Sequence, residues 1–201
     1  MERDTMNMFA LEYHEYDKFT GMPCPMRSAK SYCDKHMKIL VEVYQMAGSA
    51  CIRHGATPDM MPLNSSGNPL RGGYAHHPMT KWIGESRSNY IWAMYHGATI
   101  AEEYFKRYNK THFCEQKIEE LFELAYLIPE GELTPMPRCF NQSKGENLDL
   151  LDEDKWPCVV EATREFYFRD KRKFAVWGKG RPAPAWWMQK ILAEKLRGEE
   201  Q

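Results

Sequence analysis

The six cysteines, at positions 24, 33, 51, 114, 139 and 158, include no C-x-x-C pair. That excludes a zinc ribbon and a thioredoxin-like redox motif. No apolar run approaches the ~18 residues of a membrane span, so no membrane partner is expected. Neither a Walker phosphate loop nor a G-x-G-x-x-G fingerprint occurs. Internal repeats are absent, as is the strand–helix alternation that builds a parallel sheet. The opening Met1-Glu2-Arg3-Asp4 lacks a basic region followed by an apolar one, so the expectation is a chain without a secretion leader, placed in the cytoplasm. The net charge of −1 argues against a strong, indiscriminate grip on nucleic acid.

What is present fits one globular, mainly α-helical domain spanning residues 1–201. The 201 residues are 43% hydrophobic and 27% charged, enough for a proper core. Helix signals predict about six helices and two long loops. An irregular segment, residues 1–27, contains the apolar run Met8-Phe9-Ala10-Leu11 and ends in a Gly/Pro-rich break. A long helix is expected from about Ala29 to Ile52, with Ser28 as N-cap and Gly55 as its stop. A loop at 55–77, rich in Gly, Asn, Ser and Pro, precedes a short helix opened by Pro78. Further helices are expected at Ser88–Tyr108, Cys114–Leu127, about Trp156–Phe168 and Ala185–Leu196, with a second loop at 128–155.

The densest chemistry lies between His77 and His112. From Ser88 to Tyr108, Ile91, Met94, Ala98, Ala101, Phe105 and Tyr108 recur at helical steps and predict the buried stripe. A neighbouring stripe of Trp92, His96, Thr99, Glu103 and Arg107 reads as the wall of a polar, aromatic-lined cleft. The Glu103/Arg107 spacing equally suits an ordinary helix ion pair. A second cluster, Ser31-Tyr32-Cys33-Asp34-Lys35-His36, brings an acid, an amine and an imidazole within one turn. Such a set supplies a general acid or base and a nucleophile; it also fits a charged first turn near the helix dipole. A third cluster, Phe166 to Lys173 followed by Trp177-Gly178-Lys179-Gly180-Arg181, interleaves basic and aromatic residues. Rings there stack on bases while cations hold phosphates. From Arg164 onwards Lys and Arg outnumber Asp and Glu until the acidic end, an asymmetry that marks a phosphate-facing surface. Cys33, His36, His112 and Cys114 would make four metal ligands only if the fold gathered them. Burial of scattered cysteines in a reducing compartment is the simpler reading, and no metal or other cofactor is expected.

The combined pattern of Tyr32-Cys33-Asp34-Lys35-His36, His77-Pro78-x-x-x-Trp82, Asn89-Tyr90-x-Trp92 and Glu103-Tyr104-x-x-Arg107-Tyr108-x-Lys110-x-His112, with Phe166-Tyr167, Lys173 and Trp177, resembles a phage and bacterial family of uncharacterised small proteins. More distantly the layout is similar to the phage pyrimidine-dimer DNA glycosylases of the endonuclease V type. Asp34, His36 and Glu42 stand in places comparable to that family's D-x-H and glutamate, with a His-to-Glu spacing that differs by one residue. That family attacks with the α-amine of its second residue; this chain begins Met1-Glu2, which departs from the pattern.

The functional expectation is a phage-type DNA-processing enzyme acting on a nucleobase or nucleotide, glycosylase-like or base-modifying. Its alternatives are a non-catalytic protein that binds a host or phage partner, and an enzyme on free nucleotides. The expected catalytic set is Asp34, Lys35, His36 and Glu103. Trp82, Tyr90 and Trp92 would stack an extruded base and Asn89 would read its edge, beside His77. Arg107, Lys110, His112, Trp177, Lys179 and Arg181 would hold substrate. Glu103→Gln is expected to remove turnover while leaving folding intact.

Overall fold

The computed structural model describes residues 8–14, 22–140 and 148–199. Among these are seven α-helices: α1 Pro25–Ser31, α2 Leu40–Arg53, α3 Pro78–Glu85, α4 Arg87–Tyr108, α5 Glu115–Glu123, α6 Val159–Lys171 and α7 Ala185–Glu199. The described residues contain no strand, only two isolated bridges, Tyr13 with Pro23 and Leu63 with Pro69. The mainly α expectation holds. No helix among the described residues is long and apolar enough to cross a membrane.

Helix α4 is the axle, packed on α1, α2, α3 and α5. Its start is written in Ser86, whose hydroxyl accepts from Asn89 N at 3.1 Å and satisfies one orphan N–H. It ends at Asn109 in the left-handed conformation (φ 50°), with Asn109 N donating to Phe105 O at 2.8 Å. Midway, Gly97 lets the neighbours close in: a Cβ there would lie 3.2 Å from both Val43 and Ile118. Helix α3 begins with Pro78 after His77, whose Nδ1 accepts from Met79 N.

The expected single helix from Ala29 to Ile52 is corrected to three pieces. α1 stops at Ser31, a 3₁₀ stretch runs Asp34–Ile39, and α2 follows. The break at Tyr32-Cys33 survives because distant groups take over its backbone bonds. Arg107 donates to Lys30 O and Tyr32 O, and Trp177 Nε1 donates to Ser31 O. Cys33 N donates to the Tyr167 hydroxyl and Asp34 N to Val176 O. Ser28 is no N-cap: it lies inside α1, and its hydroxyl accepts from Leu11 N and Glu12 N. That bond docks the Met8–Leu11 run, which is extended and buried. Phe9 sits among Tyr32, His36, Phe166 and Tyr167, and Arg164 clasps Leu11 O from α6.

The assignment of faces on α4 is also corrected. Trp92, His96, Thr99, Glu103 and Arg107 are buried, whereas Phe105 is half exposed. The supposed cleft wall is the helix's inner face. It tolerates polar residues because each finds a partner there. Trp92 Nε1 donates to Pro23 O, His96 Nδ1 meets Pro25 O, and the Tyr32 hydroxyl donates to His96 Nε2 at 2.8 Å. Burial pushes the His96 imidazole down to about 4, so it is neutral in the fold.

Candidate nucleic-acid interface

Two guanidiniums and two carboxylates form a lattice where α1, α4 and the 176–181 segment meet. All five N–H groups of Arg107 are used: on Tyr32 O, Lys30 O, Asp34 Oδ1 and twice on Glu103 Oε2, at 2.7–3.3 Å. Glu103, fully buried, also accepts from Arg181 Nε at 2.8 Å and Nη2 at 2.5 Å. Asp34 Oδ2 accepts from Gly178 N at 2.8 Å. Burial alone would push the Glu103 carboxyl up. The bonds and charges of Arg181 and Arg107 override that and hold it below the ordinary glutamate range.

This geometry reassigns three expected site residues. Glu103 is a charged anchor held below the range of a general base, and the two oxygens of Asp34 are bonded to Arg107 and to Gly178 N. Arg107 has no N–H left for a phosphate. Glu103→Gln therefore cannot leave folding untouched, because it would strand buried guanidinium charge. Trp177 joins the same framework through its bond to Ser31 O and its ring contact with Trp187.

His36 and Lys35 both lie against Phe174 but differ in burial. His36 is fully buried among Phe9, Tyr32, Tyr167 and Phe174, and neither ring nitrogen has a hydrogen-bond partner among the described residues. Burial, helped by the charges of Lys171 and Lys35, pushes its imidazole down to about 3. Lys35 is exposed, its ammonium 4.3 Å from the centre of the Phe174 ring. It lacks the burial that would ready a lysine for Schiff-base attack. Glu42, half-buried, is pushed up to about 8 by desolvation, with Lys171 partly offsetting it.

The expected stacking wall lies elsewhere and is closed. Trp82, Tyr90 and Trp92 are 2%, 0% and 4% exposed, which removes them from contact with an extruded base. Tyr90 donates to Leu121 O and meets the Cys51 thiol. Asn89 is equally buried, its amide donating to Trp82 O and Thr134 Oγ1 and accepting from Thr134 N. His77 serves as the α3 cap. His112 Nδ1 accepts from Cys114 N. Among the described residues no three His, Cys, Asp or Glu side chains converge on a metal position, so the Cys33/His36/His112/Cys114 set is not assembled.

What the lattice does create is a basic surface. Arg181 keeps 36% of its side chain exposed while lying on Glu103. Lys106 stands 3.9 Å from the same carboxylate and 3.4 Å from exposed Glu102. Lys179 sits 5.1 Å over the Tyr108 ring. Tyr108 lies tilted against Tyr104, and Tyr104 meets His112 edge-to-face, with centroids 4.9 and 4.8 Å apart. Lys110 follows the α4 cap and is exposed. No family model, curated protein or solved structure matches this chain. The surface must therefore be read on its chemistry. Asp34 and Glu103 are balanced by Arg107 and Arg181, and of the exposed lysines around them Lys106 pairs with Glu102 while Lys179 lies on Tyr108. Sequence reasoning named Arg181, Lys179, Lys110 and His112; it missed Lys106, Tyr104 and Tyr108, for which helix spacing gives no single signal, since on α4 the two tyrosines lie on a different side from Lys106.

Proposed function

We propose that this protein binds nucleic acid through the face formed by Lys106, Lys110, Lys179 and Arg181 with the Tyr104–Tyr108–His112 ring ladder, in a phage-type DNA-processing role. One observation carries the reading: Lys179 lies over the Tyr108 end of a row of partly exposed rings, and part-exposed Arg181 and exposed Lys106 meet at Glu103, with exposed Glu102 beside Lys106. Cations of this kind hold phosphates, and ring faces accept bases of any sequence. Single strands fit better than duplex, because stacked bases inside a duplex do not offer their faces. Chemistry on a base is the finer claim, and no residue of the expected catalytic set supports it at this face.

The test is fluorescence anisotropy with labelled single- and double-stranded oligonucleotides at about 50 and 200 mM salt. Three or four phosphate contacts on a single strand give a slope of log K against log salt of about −2 to −3. Single strands are expected to bind more tightly than duplex. Absence of binding at low salt would refute the proposal, and tight but salt-insensitive binding of a mononucleotide would replace it with the free-nucleotide reading.

A further inference from the structure

Beside the basic face stands a second pairing of cation and ring, built like the one formed by Lys179 and Tyr108. The Lys35 ammonium lies 4.3 Å from the centre of the Phe174 ring, and the Lys179 ammonium 5.1 Å from that of Tyr108. Both lysines are exposed and both rings are half-buried. Asp34 ties the two pairs together. Its carbonyl accepts from the Tyr108 hydroxyl at 2.8 Å, its Oδ2 accepts from Gly178 N at 2.8 Å, and its N–H donates to Val176 O at 2.9 Å. Lys35 follows Asp34 directly in the chain, while Phe174 and Lys179 bracket the bonded positions Val176 and Gly178. The Cα atoms of Phe174 and Lys179 are therefore no more than about 18 Å apart. Between them stand Val176, 62% exposed, and Gly178, which has no side chain to block a strand laid across it. Phe174 is held from within. Buried His36 meets it edge-to-face with centroids 5.4 Å apart, and the buried Lys171 ammonium, paired with Asp170, lies 5.9 Å from its centre.

Resting on the nucleic-acid reading of the basic face, we propose that Lys35 and Phe174 are a second contact point for the same single strand. The site then takes a run of several nucleotides crossing the 174–179 segment, and not a single nucleotide alone. In the free protein each ammonium covers its ring. A bound strand draws the ammonium onto a phosphate and leaves the ring to an adjacent base, so the two contacts form together. Their signatures differ. The phosphate contact adds to the salt dependence of binding, and the ring contact adds affinity with little change in it. Lys35 thereby gains a binding role in place of the nucleophilic one expected from the sequence.

The probes are fluorescein-labelled dithymidylate and octathymidylate, titrated by anisotropy at about 50 and 200 mM salt. The parent should bind the octamer at least tenfold more tightly than the dimer. Lys35→Gln should erase most of that gain and reduce the octamer's salt slope by about 0.7. It should leave the dimer within twofold, because Lys179 and Tyr108 still serve it. Phe174→Leu should weaken the octamer at least about fivefold with the slope unchanged, compared on protein shown to be folded by its urea midpoint. Lys35 is exposed, so its variant keeps the test intact if Phe174→Leu folds poorly. An octamer that does not bind the parent at low salt would refute the nucleic-acid reading and this inference with it. Octamer binding by the parent that Lys35→Gln leaves unchanged in affinity and slope, or a parent that binds dimer and octamer equally, overturns this inference alone.

Discussion

Replacing Glu103 by glutamine removes a charge that two guanidiniums share at the centre of the molecule. The isostere preserves volume and one acceptor oxygen. It leaves Arg107, whose side chain is fully buried, with Asp34 as its remaining anion. Removing one partner of a buried ion pair costs about 3–5 kcal/mol. The retained amide oxygen and the ability of Arg181 to turn toward water bring the expectation to about 3 kcal/mol. For a chain of this size that is a melting temperature lower by about 6–12 °C. Arg181→Gln removes the outer, part-exposed guanidinium and should cost only about 1 kcal/mol. Urea denaturation of both single variants and the double variant measures the coupling directly. A Glu103→Gln protein as stable as the parent would refute the lattice as the reason for this packing. The carboxyl's lowered titration adds a pH signature. The stability it supplies is present above the ordinary glutamate range and fades as pH falls through the lower folded value; the Gln variant should lack that part of the acid limb.

Four further outcomes follow from the same structure. His36→Phe should be neutral or stabilising at pH 7, because it replaces two unpartnered ring nitrogens in an aromatic cage; a loss above about 2 kcal/mol would show a hidden partner. Wild-type stability should fall as pH drops from the ordinary histidine range toward 3, since the unfolded chain takes up protons that His36 and His96 refuse in the fold, and His36→Phe should make that fall shallower in acid titration of the folded fraction. Glu42 behaves oppositely: its folded carboxyl titrates near 8, so its contribution is lost as pH rises from about 4.5 through 8, and Glu42→Gln should gain stability over the parent progressively in that window. Lys179→Glu should weaken oligonucleotide binding and reduce the salt slope by about one contact's worth, with the denaturation midpoint unchanged.

The elements with local punctuation were legible: Pro78 at α3 and Gly55 after α2 mark ends by chemistry within a turn. The break at Tyr32-Cys33 was not, because nothing nearby in the chain causes it. It depends on Arg107, Tyr167, Trp177 and Val176, which lie 75 to 146 residues away along the bonds they make. Met94 and Ala101 of the expected buried stripe of α4 are buried, but the polar stripe beside them is buried too, for a related reason. Trp, His, Glu and Arg read as a wet face on composition, yet each is paired inside with a carbonyl, a hydroxyl or an opposite charge. The Glu103/Arg107 ion pair itself was readable from spacing, and its enclosure was not. The start of the chain, on which the glycosylase likeness would place an attacking amine, lies outside the described residues.

The most direct measurement is the salt dependence of single-strand binding for the parent and for a Lys106→Glu/Lys179→Glu variant. Both lysines are exposed; Lys106 also stands 3.9 Å from the Glu103 carboxylate, so the variant's urea midpoint is measured alongside and binding is compared on folded protein. The account predicts strong binding at low salt by the parent, and for the variant at least a tenfold loss with a shallower slope. Equal affinity and equal slope in the two proteins would contradict it, and would move the nucleic-acid contact off this face.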